Sequence, residues 1–229
     1  RTKISFELAE KRLSADVTNF SASSSSVQKG ESLKDTIQNI QAMKMDCVVM
    51  RHPIPGSCMQ LSKYVDSVII NAGDGTHEHP TQALLDMMSI KEKFGTLDGI
   101  KIGIVGDILH SRVALSNIFG LVKVGAKVKL CAPSHLLQKN IESLGVSITH
   151  DIDHLIEWAD AINVLRIQQE RMGVGIIPSK REYRTFFGIT NDHESPDTVF
   201  VHDNFSNLKY ILEVGASPGD YGIWNEQGN

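Results

Sequence analysis

Cysteine is scarce: Cys47, Cys58 and Cys131 are the whole complement of the 229-residue chain, odd in number and with no CxxC pair. That pattern excludes a disulfide scaffold and a structural zinc module, and it suits a reducing compartment, so a cytoplasmic location is expected. No stretch approaches the roughly 18 apolar residues of a membrane span, and the first residues carry no apolar signal core, so neither membrane insertion nor secretion is expected. An excess of one charge is also missing. The formal net charge is −4, which supplies no broad field for nucleic acid or an anionic membrane, so each basic residue has to be weighed by its local setting. There is no internal repeat, and the one compositionally biased stretch, SASSSSVQKG (Ser21 to Gly30), reads as a mobile loop. The remainder, 41% hydrophobic and 22% charged, is the composition of a soluble globular chain with enough residues for one large or two small cores.

Periodicity organises that remainder. KIGIVGD (Lys101 to Asp107) is a short apolar run ending in a glycine turn, SRVALSNIFGLVKVGA has a helical pattern, and KVKLCAP (Lys127 to Pro133) is a second strand. Strand, helix, strand predicts a βαβ unit in a parallel sheet. The alternation continues with a helix near Ser134 to Leu144, a strand at VSIT, a helix at DIDHLIEWA and a strand at AINVLRI (Ala161 to Ile167). Upstream, the same rhythm gives a helix near Ser5 to Leu13, a strand at DVTNFS (Asp16 to Ser21) and a helix at ESLKDTIQNIQAM. A strand at CVVMR, a helix near Ser57 to Lys63 and a strand at SVIINAG follow. Between the halves, Pro80 to Phe94 predicts a helix with a broad apolar face of Leu84, Leu85, Met87, Met88 and Ile90. The fold class expected is α/β, two lobes each with a mainly parallel sheet flanked by helices, joined by a bridging helix. The boundaries are 1–80 for the first lobe, 81–97 for the bridge, 98–215 for the second lobe and 216–229 for an atypical tail.

In such sheets ligands sit beyond the carboxyl ends of the strands, and those ends carry the chemistry. Arg51 follows CVVM, HEHPTQ follows SVIINAGDG, Arg112 follows KIGIVGD, and Arg166 with Gln168 closes AINVLRI. Arginines at three strand ends point to an anionic substrate, because guanidinium pairs bidentately with phosphate or carboxylate. A dinucleotide site is disfavoured: IVGDILHSRV lacks GxGxxG, and Asp107 would repel a pyrophosphate. His77 and His79 have no third ligand at a recognised spacing, so no metal is expected. Pro80 suits a first helical turn, which makes HEHPTQ a helix start; His79 and Gln82, one turn apart, are in addition placed to act as neutral donors to a carbonyl. Lys29 reads either as a solvated loop lysine or as a mobile cation closing over an anion.

Taken together, RTKISFE, SVQKGESLKDT, VMRHP, NAGDGTHEHPTQALLD, VGDILHSRV and LRIQQERM resemble, in order, the motifs of aspartate carbamoyltransferase catalytic chains, over Arg1 to about Thr190. KGES, HPTQ and RIQ resemble the aspartate rather than the ornithine version. The resemblance implies a first lobe for carbamoyl phosphate and a second for aspartate. It implies that Arg1 and Thr2 bind phosphate, that Arg51, His79 and Gln82 contact carbamoyl phosphate, and that Thr2, Arg51 and His79 surround its carbonyl oxygen. Ser25 and Lys29 would come from an adjacent subunit of a homotrimer, with Lys29 also reaching aspartate and joining Thr2, Arg51 and His79 in catalysis. Arg112, Arg166 and Gln168 would hold aspartate. No metal or organic cofactor is implied; regulatory or other pathway subunits are possible further partners, and nucleic acid and membranes are not.

Departures from the pattern leave alternatives open. The first half of the family's STRTR phosphate loop is missing before Arg1. After TVFVH the chain keeps His202 but has Asp203, Asn204 and Phe205 where the family has a proline-rich turn. The end, ILEVGASPGDYGIWNEQGN, lacks a long apolar helix. The expectation is a chain incomplete or altered at both ends, with two other readings beside the enzyme: a transcarbamoylase-like module without turnover, and a carbamoyltransferase for another amino acid.

Overall fold

A computed structural model describes residues 2–20, 32–165, 183, 186–188 and 199–202. The chain divides into two compact units, Arg1–His77 and Glu78–Asn229.

The first unit holds α1 (Thr2–Arg12), α2 (Leu33–Ala42), β1 (Cys47–His52), α3 (Ser57–Leu61) and β2 (Val68–Asp74). Strands β1 and β2 pair in parallel from Cys47↔Val68 to Met50↔Asn71, and the register slips before His52↔Asp74. Ser32 starts α2 with a reciprocal capping box: its side chain accepts from the Asp35 amide while the Asp35 carboxylate accepts from the Ser32 amide. Ile37, Cys58, Leu61 and Ala72 are the buried apolar residues here. The strand expected at Asp16–Ser21 does not form within residues 15–20, which have no ladder partner among the described residues. The alternation there is real, but these residues are mostly exposed, and a strand without a neighbour to take its backbone hydrogen bonds has no reason to stay extended.

In the second unit, α4 (Pro80–Phe94) is followed by β3 (Lys101–Val105), α5 (Arg112–Lys123), β4 (Lys127–Cys131), β5 (Ser147–Thr149), α6 (Ile152–Trp158), β6 (Ala161–Val164) and β7 (Val199–His202). The five strands form one sheet in the order β5-β4-β3-β6-β7, parallel throughout. Chain order runs outward from β3 on one side and restarts at β6 on the other, so the switch point lies between β3 and β6. Ile102, Ile104, Val105, Leu130 and Ile162 are at most 2% exposed, the signature of strands covered on both faces. One layer is built from α5, through Ala114, Ile118 and Leu121, and the other from α6, through Ile152 and Leu155.

Two expectations for this unit need correction. The helix near Ser134–Leu144 is replaced by two short 3₁₀ turns, Ser134–Leu136 and Ile141–Leu144, because Asn140 between them takes the left-handed conformation (φ 62°), which breaks an α-helix. The broad apolar face expected for α4 is only in part its buried face. Its buried residues are Gln82, Ala83, Asp86 and Ile90, while Leu84 and Met88 are 63% and 56% exposed. Met87 and Ile90 do join the core that α5 and the sheet build. The helix is thus turned so that a polar pair, one turn apart, occupies the interior.

Candidate active site

In the first unit the candidate residues lie at the start of α1 and near the end of β1. Thr2 is the first residue of α1, where backbone N–H groups lack intrahelical partners and the helix dipole favours an anion. Arg51, on β1, donates from a guanidinium nitrogen to Thr2 Oγ1 at 2.7 Å across 49 residues of sequence. The structure therefore brings together two of the predicted residues, a cation and a helix N-terminus, in the arrangement that binds phosphate-like groups.

The neighbouring end of β2 is organised by Asp74, 1% exposed. Its carboxylate accepts from the Gly56 amide (2.7 Å), Asn71 Nδ2 (2.9 Å) and His77 Nδ1 (3.2 Å). These bonds tie the loop after β1 and the start of HEHPTQ to one buried charge. Gly75, at φ +52°, passes so close to Pro53 and Pro55 that a Cβ would lie 2.7 Å from Pro53 O. His77 thus has a structural partner, and Asp74 is a residue that motif reading passed over. Its only sequence signal was an aspartate directly at a strand's carboxyl end.

In the second unit His79 is the N-cap of α4 and Pro80 its first residue, as the sequence predicted. The His79 amide donates to Ser116 Oγ on α5 at 2.8 Å, and its Nδ1 lies 3.3 Å from Thr81 Oγ1. Gln82, 8% exposed, donates from Nε2 to Asp86 Oδ1 at 2.9 Å. Asp86 in turn accepts from Asn117 Nδ2 of α5 (2.7 Å) and Asn163 Nδ2 of β6 (3.3 Å). At the end of β3, Asp107 is fully buried and accepts from the amide and Nδ1 of His110 at 3.2 and 2.9 Å. Ser111 caps α5 by accepting from the Ala114 amide at 3.2 Å, and Arg112, 9% exposed, is its first residue.

Asp86, Ser116, Asn117 and Asn163 were not legible as site-forming residues. The i,i+4 spacing of Gln82 and Asp86 within an apolar helix was the one available clue. Arg1, Ser25, Lys29, Arg166 and Gln168 lie outside the described residues, as does Asp203. Among the described residues no group of three or more His, Cys, Asp or Glu side chains is placed to hold a metal ion, and no helix is long and apolar enough to cross a membrane. The thiols stay protonated: burial pushes Cys58 up to about 11, helped by Asp74, and Cys131 up to about 12, helped by Asp151.

Comparison with known proteins places this geometry. Residues 1–92 match the family model described as aspartate/ornithine carbamoyltransferase, carbamoyl-P binding domain. The aspartate carbamoyltransferase catalytic subunit of Christiangramia forsetii is 60% identical over 99% of this chain and 74% of its own length. That of Gemmatimonas aurantiaca is 49% identical over 99% and 72%. Among solved structures, aspartate transcarbamoylase from Trypanosoma cruzi in complex with aspartate and phosphate superposes with a TM-score of 0.74 at 32% identity, over 89% of this chain and 67% of that one. The catalytic subunit of M. jannaschii aspartate transcarbamoylase gives 0.74 at 35% identity, over 89% and 69%. A parallel two-unit α/β fold, an arginine held at a helix N-terminus, and identity of this extent place the chain in the aspartate carbamoyltransferase catalytic subunit family.

Proposed function

We propose that the chain transfers the carbamoyl group of carbamoyl phosphate to the amine of L-aspartate, giving N-carbamoyl-L-aspartate and phosphate in de novo pyrimidine biosynthesis. The observation that carries the reading is the Arg51–Thr2 contact at 2.7 Å, an anion site made of a guanidinium and a helix N-terminus. The relatives support the choice of substrates: the Trypanosoma cruzi enzyme has been solved with carbamoyl phosphate and aspartate.

In the proposed reaction the aspartate nitrogen attacks the carbamoyl carbon and forms a C–N bond. The tetrahedral intermediate then expels phosphate with the electron pair of the C–O bond, and the nitrogen loses a proton. By family correspondence Arg1 and Thr2 bind the phosphate, and Arg51 and, from an adjacent subunit, Ser25 also contact carbamoyl phosphate. Thr2, Arg51 and His79 stabilise the oxyanion, and Gln82 holds the carbamoyl amide. Lys29 of the adjacent subunit, Arg112, Arg166 and Gln168 orient aspartate. Fixed donors and orientation supply the rate enhancement. A homotrimer in the cytoplasm, with a carbamoyl-phosphate lobe at 1–80, a helical bridge at 81–97, an aspartate lobe at 98–215 and a tail at 216–229, belongs to the same proposal.

The test is direct. Purified protein incubated with both substrates is expected to release carbamoyl-aspartate and phosphate in equal amounts, with phosphate release dependent on aspartate. A chain that is folded by circular dichroism yet yields no carbamoyl-aspartate above the uncatalysed background would instead establish the non-catalytic module.

A further inference from the structure

Asp86 sits in the interior of the second unit with no direct part in the chemistry just described. It is 1% exposed, one helical turn past Gln82, and it accepts from three side-chain amides: Gln82 Nε2 on Oδ1, and Asn117 Nδ2 and Asn163 Nδ2 on Oδ2. An ionised carboxylate only accepts hydrogen bonds, so each amide has to turn its NH₂ inward. The arrangement has a visible cost. Asn117 Oδ1 and Asn163 Oδ1 are buried without a hydrogen-bond partner among the described residues. Rotating either amide by a half-turn would not relieve this, because its oxygen would then face the carboxylate oxygens. Buried unpaired acceptors are unfavourable, and a network that tolerates two of them is held to one polarity by the carboxylate oxygens at its centre, which accept from all three amides.

Gln82 is the one member of this network that the family correspondence also assigns to substrate. We propose that Asp86 is a positioning residue: by taking the Gln82 NH₂ it fixes the polarity of that amide and leaves the carbonyl oxygen Oε1 as the end that meets the ligand. Gln82 then acts as an acceptor for the carbamoyl NH₂ rather than as a donor to the carbamoyl carbonyl. The site selects an acyl phosphate that bears an amino group over one that bears a methyl group of similar size. This inference rests on the reading that Gln82 contacts the carbamoyl group.

Two stable probes isolate the effect. Phosphonoacetamide and acetonylphosphonate differ only in NH₂ against CH₃ beside the carbonyl. The unmodified protein is expected to bind the amide about tenfold or more tightly than the ketone, as sites built to hydrogen-bond a polar group reject the isostere that lacks it. In Asp86→Asn the central group can donate or accept, the polarity of Gln82 is released, and the ratio is expected to fall to within about threefold of unity. Gln82→Met should give the same collapse. If Asp86→Asn weakens both probes equally, or leaves the ratio untouched while Gln82→Met collapses it, Asp86 has only a structural part and the proposal is overturned. If Gln82→Met keeps the original ratio, the reading of Gln82 fails and the proposal falls with it. Should Asp86→Asn not fold, exchange of the Gln82 side-chain NH₂ protons in the unmodified protein decides the matter by NMR. The proposal expects them to be equally protected with and without phosphonoacetamide; protection that appears only with the ligand would put the donor end at the substrate and overturn it.

Discussion

Cys131 shows how a residue of no evident chemical use still sets a measurable property. Its thiol is fully buried on β4 and pushed up to about 12 by burial and by Asp151, against an ordinary value near 9. The folded state therefore holds this proton where the unfolded chain releases it. The stabilisation is fully present below about pH 9 and is lost as pH rises through the folded value. Thermal melting between pH 8 and pH 10.5 is expected to show a falling midpoint, and Cys131→Ala should flatten that slope even though it lowers the midpoint at neutral pH by leaving a small cavity. An unchanged slope in the variant would show that other groups dominate alkaline unfolding. At the same scale Arg51, His79, Gln82 and Arg112 were legible because each follows a strand or opens a helix. Their partners were harder to see: Ser116 for the His79 amide and Asn163 for Asp86 lie 37 and 77 residues away in sequence, distances over which no local pattern speaks.

At the scale of elements, the switch point between β3 and β6 depends on Gly106. It has φ +123°, a region open mainly to glycine, and a Cβ there would collide with the Leu165 carbonyl at the end of β6. Gly106→Ala is expected to destabilise the chain by at least about 1 kcal/mol, read as a lower urea midpoint with an unchanged m-value. A midpoint equal to that of the unmodified protein would mean that β6 can retreat freely. Strong elements were predictable where propensity, capping and burial agree: α5 has Ser111 as its cap and a buried stripe from Val113 to Leu121, and α4 runs between the predicted ends. The failures have physical causes. Residues 134–144 carry helix-forming leucines, but Asn140 at φ 62° interrupts them. Residues 15–20 alternate like a strand but form no ladder with any described strand. The face of α4 was misjudged because hydrophobicity alone ranks Leu84 and Met88 above Gln82 and Asp86, whereas the exposed pair is Leu84 and Met88.

For the whole molecule, the proposed trimer has a consequence that no single chain can show. If Lys29 acts in the site of a neighbouring subunit, Lys29→Ala and Arg51→Ala chains are each inactive alone, yet an equal mixture after subunit exchange contains sites with both residues intact. Random assortment makes about a quarter of the sites complete, and turnover is expected to recover to about that fraction of the unmodified enzyme. No recovery, with exchange verified by mass, would place both residues in one chain's site. The division between what sequence and tertiary structure each decide follows the range of the forces involved. Apart from residues 15–20 and 134–144, the alternation of strands and helices, together with the absence of a dinucleotide loop and the six motifs in series, was determined by the sequence itself, because periodicity, turn chemistry and helix starts act over a few residues. Only the tertiary structure decided that β6 lies beside β3, that Arg51 reaches Thr2, and that the Gln82 amide is committed to a buried Asp86. These contacts depend on sheet order and on which groups lose water together, and a buried carboxylate takes the nearest available donors wherever in the chain they arise.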